Sequence, residues 1–186
     1  YGAKAIYYPK EFRKRILLIN LLSNMLQMSV TVILGLIGFY FFITEFKVDL
    51  LYSKLVLWLL IIFILIALGG FVISKTKFAI KGFSFEKLKA FILNYPKQII
   101  AFGFICALFR YVIFSFQFYY LLTIFAIDMS YLDAMMAITT MYLLASIIPS
   151  IFIFDVVIKG SIAVYLFTFI GVNALTVLSI VTLMWL

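Results

Sequence analysis

Residues 16–43 read ILLINLLSNMLQMSVTVILGLIGFYFFI, 28 positions without a charged side chain. As a helix at about 1.5 Å per residue this run is ~42 Å long. It exceeds the ~30 Å of a bilayer's hydrocarbon, so it tilts or protrudes at one end. Asn20, Asn24, Gln27 and Thr31 recur at i, i+4, i+7 and i+11 and share one helical face. Gly35 and Gly38 continue that face and permit a second helix to come close. Two readings of the face stand: a polar wall lining a substrate path, or hydrogen bonds between helices that hold a bundle together.

The same texture recurs outward from this run, at 55–73, 99–127, 134–150, 161–170 and 174–186. In 186 residues, 67% are hydrophobic and 12% charged, with a mean hydropathy of +1.25. These values exclude a water-soluble globule. The length allows about five or six crossings and leaves no room for a separate soluble catalytic domain. Phe and Tyr (22 and 12) far outnumber Trp (2), and strand-like alternation is absent, which favours helices over a barrel. The expected fold is all-α: a polytopic transmembrane helical bundle with interrupted or re-entrant helices. It forms one domain over 1–186, expected to be cut at both ends because it opens at Tyr1 and stops within an apolar run at Trp185-Leu186.

The net charge of +8 reads first as topology. Lys4, Lys10, Arg13, Lys14 and Arg15 precede the first run, and Lys75, Lys77, Lys81, Lys87, Lys89 and Lys97 fill the 74–98 link. Only Lys47 and Lys54 lie on the other side, so the basic segments are expected in the cytoplasm, with affinity for anionic headgroups and no nucleic-acid partner. Within the link, Phe85, Leu88, Phe91, Ile92 and Tyr95 oppose Glu86, Lys87 and Lys89. That pattern fits an interfacial helix ended by Pro96, or a plain elbow.

The chain has no histidine, which excludes an imidazole base, a His-held metal or haem, and a Ser-His or Cys-His nucleophile. Cys106 is alone, so neither an intrachain disulfide nor a thiolate cluster can form. No Gly-rich phosphate loop is present. No catalytic residue and no cofactor are expected, and the chain is not read as an enzyme. An intramembrane lipid enzyme would have only Asp155, Asp128, Asp133 and the tyrosines for acid-base work.

Polar groups inside hydrocarbon mark function. Arg110 lies at mid-depth of the third run, and Gln117 follows two turns later on the same face. Such an arginine faces the bundle interior, a carboxylate or water, and its fork suits either a lipid phosphate or a fixed acid. Pro149, Ser150, Asp155, Lys159 and Gly160 form a further group. Pro149 ends a helix because it cannot donate to the carbonyl of Ala145. Charges in the apolar stretch beyond it resemble the discontinuous helices of transporters, while a solvated cytoplasmic loop is the alternative. Asp155 is then the natural partner of Arg110. Gly2-x-x-Ala5-Ile6-Tyr7 and Gly160-x-x-Ala163-Val164-Tyr165 also pair as a short internal repeat.

Arg110 with 117–122 (QFYYLL), then Ile148-Pro149-Ser150, then 155–163 (DVVIKGSIA) resemble the lysylphosphatidylglycerol synthase transmembrane, or flippase-like, family. Asp155 would match the family's acid and Lys159 its base. Where members usually carry glycines around the second broken helix, this chain has Ile151-Phe152-Ile153-Phe154. The resemblance implies an integral protein of the bacterial cytoplasmic membrane, with about eight helices and a lipid-translocating activity. Aminoacyl transfer belongs to a separate soluble domain with no counterpart here. The expected function is flipping of a polar lipid or lipid-linked intermediate along Arg110, Gln117, Asp155, Lys159, Asn20, Asn24, Gln27 and Ser150. The alternative is a non-transporting scaffold for a lipid-modifying or cell-envelope enzyme. Expected partners are membrane lipids, and a second copy or a membrane enzyme.

Overall fold

The computed structural model describes residues 9–47, 94–147 and 154–185, with Tyr7 and the pairs 79–80 and 83–84. Among them are five helices: α1 (Lys10–Phe46), α2 (Lys97–Ile124), α3 (Tyr131–Ile147), α4 (Phe154–Thr168) and α5 (Ala174–Trp185). The only strand pairing among the described residues is β1 (Ala79–Ile80) antiparallel to β2 (Phe83–Ser84), with Ala79 opposite Ser84. The fold class is therefore all-helical, as the composition requires.

Local chemistry sets the helix ends. Prolines precede both long helices; the carbonyl of Pro9 accepts from the N–H of Phe12 at 3.0 Å, and that of Pro96 from Ile99 at 2.9 Å. Proline's fixed φ prepares a helical start at no cost in donors. Ser130 caps α3, its hydroxyl accepting from the N–H of Leu132 at 3.3 Å, and Asp133 stands in the first turn where the helix dipole favours an acid. Asn173 caps α5, with Oδ1 accepting from the N–H of Leu175 at 2.8 Å.

Two helices stop by the same device. At the end of α4, Gly171 N–H donates to Thr168 O and Val172 N–H to Phe167 O, with Gly171 at φ 81°. At the end of α2, Ala126 N–H donates to Thr123 O and Ile127 N–H to Leu122 O, with Ala126 at φ 54°. Both are Schellman motifs, which place a left-handed residue just past the helix. Glycine adopts that conformation freely; alanine does so against its Cβ.

α3 lies at the centre and packs against α1, α2 and α4, while α4 and α5 form an antiparallel hairpin. Its buried residues run almost all round: Ala134, Ala137, Ile138, Thr140, Met141, Tyr142 and Leu143. The contact with α1 is the tightest. A methyl group at Gly35 would lie 2.6 Å from Leu143 Cβ, and one at Gly38 would meet the Thr139 hydroxyl. Gly38 faces Thr139 and Met136 while Gly35 faces Thr139 and Leu143, so the two helices run antiparallel. The close approach foreseen from Gly35 and Gly38 is thus present, with α3 as the partner. Elsewhere Phe118 stacks on Phe167 (5.6 Å between centroids) and Phe42 meets Phe169 edge-on at 6.1 Å, joining α2 and α1 to the hairpin region.

Two stretches are long and apolar enough to cross a membrane, Arg15–Phe46 (32 residues) and Lys97–Ile124 (28 residues). Only 22% and 11% of their most apolar windows are buried within the chain.

The boundaries move where capping decides them. The first helix starts at Lys10 rather than 16, because the charged residues before 16 are good helix formers behind Pro9. The third run stops at Ile124 because the Schellman turn consumes 125–127. Gly160, expected just before a helix at 161, lies inside α4, which starts at Phe154 and carries Asp155 and Lys159 on a helix rather than in a loop. The 55–73 span, the 85–93 part of the link, Ser150 with the rest of 148–153, and the first copy of the repeat, save Tyr7, fall outside the described residues.

Candidate functional site

Among the described residues, the amide face of α1 is only partly covered. Asn20 and Gln27 are half-buried and Asn24 is exposed. The Thr31 hydroxyl turns back to the carbonyl of Gln27 at 3.1 Å, as threonine commonly does within a helix. No side chain of another helix among the described residues hydrogen-bonds to Asn20, Asn24 or Gln27. The face passes from polar to glycine along its length: where Gly35 and Gly38 sit, α3 covers it.

Arg110 and Gln117 share one face of α2 as their spacing requires, but both are exposed, on the side that also shows Phe109, Ile113 and Phe116. An interior position for Arg110 is therefore corrected. Tyr111, Ser115, Phe118 and Leu122 hold the narrow buried stripe of α2, and residues at 110 and 117 lie round the helix from it. The Arg110 guanidinium lies 5.5 Å from the centroid of the Phe114 ring, a cation–π contact one turn along its own helix. Asp155 stands at the start of α4, but its side chain lies outside the described residues, and with it the expected pairing to Arg110.

Among the expected site residues whose side chains are described, Lys159 is the one that reaches an aromatic cluster between helices. Its ammonium sits over the Trp185 ring, 3.4 Å from the centroid. Trp185 stacks on Phe114 at 6.2 Å and meets the Tyr142 ring edge-on at 6.5 Å; Tyr142 in turn meets Tyr111 edge-on at 5.5 Å. The Tyr142 hydroxyl donates to the carbonyl of Phe114 at 3.2 Å, tying α3 to α2. Ser115 follows Phe114 and stands one turn from Tyr111 on the same face. Four helices thus meet at this cluster: α2 through Tyr111, Phe114 and Ser115, α3 through Tyr142, α4 through Lys159 and α5 through Trp185.

Polar atoms in the cluster lack partners. The Tyr111 hydroxyl, Ser115 Oγ and Trp185 Nε1 are buried with no hydrogen bond, as is the Thr140 hydroxyl on another face of α3. A buried polar atom without a partner costs about 1–3 kcal/mol, and native folds carry few of them. Three of these atoms belong to residues of this aromatic cluster or next to it.

Attention to amides and charges in apolar runs missed this cluster, since Tyr, Ser and Trp pass as ordinary membrane residues. A signal existed in Tyr111 and Ser115 at i, i+4, two hydroxyls on one face of an otherwise apolar run. The contributions of Tyr142 and Trp185 come from other helices and have no local signature.

The chain matches no family profile, no curated protein and no solved structure, so the resemblance to the flippase-like family rests on the motif residues themselves.

Proposed function

We propose that this chain is part of a polytopic membrane bundle that translocates a polar lipid or lipid-linked intermediate, in the manner implied by its resemblance to the flippase-like family. The observation that carries this reading is the unbonded amide face of α1. Asn20, Asn24 and Gln27 stand in a run without charges, with no hydrogen bond to another helix among the described residues. Amides that served only to bind helices together would be bonded across a helix contact; among the described residues, the close contact on this face is made by Gly35 and Gly38. A wall of amides exchanges hydrogen bonds with a passing headgroup while the acyl tails stay in lipid.

Placement in a membrane draws support from how little of the two long helices is buried. The core helix of a water-soluble protein is mostly covered, whereas α1 and α2 turn large apolar faces outward, among them Phe102, Phe109 and Ile113. The resemblance to the flippase-like family implies the bacterial cytoplasmic membrane, and the positive-inside rule then puts the basic segments on its cytoplasmic side.

A second reading, a non-transporting subunit that docks against another membrane protein, is favoured by the exposed Arg110 and Gln117 on α2. Proteoliposomes with fluorescent lipids of several headgroups decide between them, with Asn20→Leu/Asn24→Leu run beside the parent and checked by gel filtration. Translocation predicts headgroup movement faster than in empty liposomes and slowed at least tenfold in the folded variant. Rates equal to those of empty liposomes across the panel would overturn it in favour of the docking subunit.

A further inference from the structure

The outward face of α2 lies opposite its buried stripe. Phe102, Phe109, Ile113, Gln117 and Tyr120 recur along it at helical spacing, all exposed, and Arg110 stands at its edge. Arg110 is at the middle of the 28-residue helix, about 20 Å from either end. Basic side chains snorkel to the interface from near the ends of a membrane helix; the middle is too far. The Arg110 guanidinium lies by the Phe114 ring at 5.5 Å, a contact that supplies no acceptor oxygen to its five N–H donors. Among the described residues no carboxylate pairs with it.

On the membrane placement proposed above, a cation at this depth calls for a negative partner inside the hydrocarbon. A lipid phosphate lies in the headgroup layer, beyond the reach of a residue at mid-span. A second copy has no acid to offer there. None of the apolar runs at 16–43, 55–73, 99–127, 134–150, 161–170 and 174–186 contains Asp or Glu, and Asp155 stands between two of them, at the start of α4. The remaining source is a carboxylate carried to mid-depth on the helix of another protein, which the guanidinium fork can hold with two parallel hydrogen bonds. The exposed rings and Ile113 give such a helix an apolar surface to pack on, and Gln117, two turns beyond Arg110, adds an amide. We propose that this face of α2 docks a transmembrane helix of a different membrane protein, through a mid-depth Asp or Glu that pairs with Arg110. The inference rests on the membrane placement and not on translocation, since the amide face of α1 takes no part in it.

Cys106, exposed one turn before Arg110 and the single cysteine of the chain, reports on what covers this face. The full chain is reconstituted in phosphatidylcholine vesicles with lysine-flanked Leu-Ala peptides of about 20 residues, enough for one crossing. Each peptide carries a central Glu, Gln or Leu, with cysteines one turn before and after it so that either orientation brings one to Cys106. Copper phenanthroline then oxidises neighbouring thiols. The Glu peptide is expected to form the mixed disulfide about tenfold faster than the Leu peptide, and Arg110→Gln to remove that preference. Gel filtration confirms that the variant is folded; if it is not, Arg110→Lys replaces it, keeping the charge without the fork and reducing the preference. Equal rates for the Glu and Leu peptides, a Gln peptide as fast as the Glu peptide, or a preference unmoved in the folded variant would overturn the proposal. Cys106–Cys106 disulfides outpacing the mixed ones would assign the face to a second copy and overturn it as well. A chain released from the vesicles by alkaline carbonate would refute the membrane placement and the docking with it. A chain that stays inserted and shows no preference refutes the docking alone.

Discussion

Replacing Gly35 by alanine tests the packing on which the rest of the bundle depends, because the sign of the effect differs with and without the contact. An added methyl group would lie 2.6 Å from Leu143 Cβ and 3.2 Å from the carbonyl oxygen of Thr139. Carbon atoms rest at about 3.5–4.0 Å, so α1 and α3 must part by about 1 Å along this stretch. Neither obstacle is the free end of a side chain, and no rotamer change relieves them. Overpacking of this kind costs about 1–3 kcal/mol. Against it stands the gain of about 0.8–1.0 kcal/mol from replacing glycine in a helix interior. The net expectation is a loss of about 1 kcal/mol, the middle of a range of about 0–2. If α1 and α3 were not in contact, only the propensity gain would remain and the variant would be more stable by about 1 kcal/mol. Gly103→Ala is the control. Its nearest obstacle is Leu26 Cδ1 at 3.0 Å, a side-chain tip that can turn away, so stability should rise or stay within about 0.5 kcal/mol. The assay is loss of helical circular dichroism on titrating the micelle-bound protein with sodium dodecyl sulfate. A Gly35→Ala curve on or beyond the parent's, or coincident with that of Gly103→Ala, would refute the α1–α3 contact.

The two Schellman ends give a paired prediction: Ala126→Gly should stabilise and Gly171→Ala destabilise, each by about 1 kcal/mol. No atom lies within 4 Å of the Gly171 Cβ position, so backbone conformation alone sets the second value, and an unchanged midpoint in the same titration would refute the left-handed assignment. On the proposed membrane placement Arg110→Leu should stabilise, because an arginine facing hydrocarbon at helix centre costs about 2.5–3.5 kcal/mol and its contact with Phe114 returns about 1. A destabilised variant would mean that a carboxylate or another buried group holds the guanidinium.

The helices were legible because their signals are local. Among the described residues, uncharged runs marked which segments are helical and the glycine spacing at 35 and 38 announced a close neighbour, while the starts behind Pro9 and Pro96, at 10 and 97 rather than 16 and 99, went unread. What local signals could not supply was the neighbour's identity. α3 is central because Ala134 and Ala137 let other helices approach while Ile138, Met141 and Leu143 fill the space between them. Seen singly, its sequence is no more apolar than that of its neighbours. Gly160 misled for a related reason. Glycine often ends a helix, but here it lies inside one, buried, with Leu178 Cδ2 3.0 Å from where its Cβ would be.

The site divides along the same line. A charge or amide in an apolar run shows itself in sequence, and its face follows from spacing, so Asn20, Asn24 and Gln27 were found and do lie together. Which way a face points does not follow from spacing. Arg110 and Tyr111 are adjacent, and rotation by one residue, about 100°, separates an exposed guanidinium from a buried phenol. A rule that sends charge inward chooses the wrong one here, because the inward stripe of α2 is narrow and Tyr111, Ser115, Phe118 and Leu122 occupy it. The cluster is instead assembled from residues that each look apolar enough for lipid: two tyrosines, a serine and a tryptophan, with the Lys159 ammonium over the indole. Polarity distributed in this way stabilises no helix by itself and is expressed only when four helices meet. A search confined to charges and amides therefore finds the amide face of α1 and misses buried polar atoms supplied by tyrosine, serine and tryptophan.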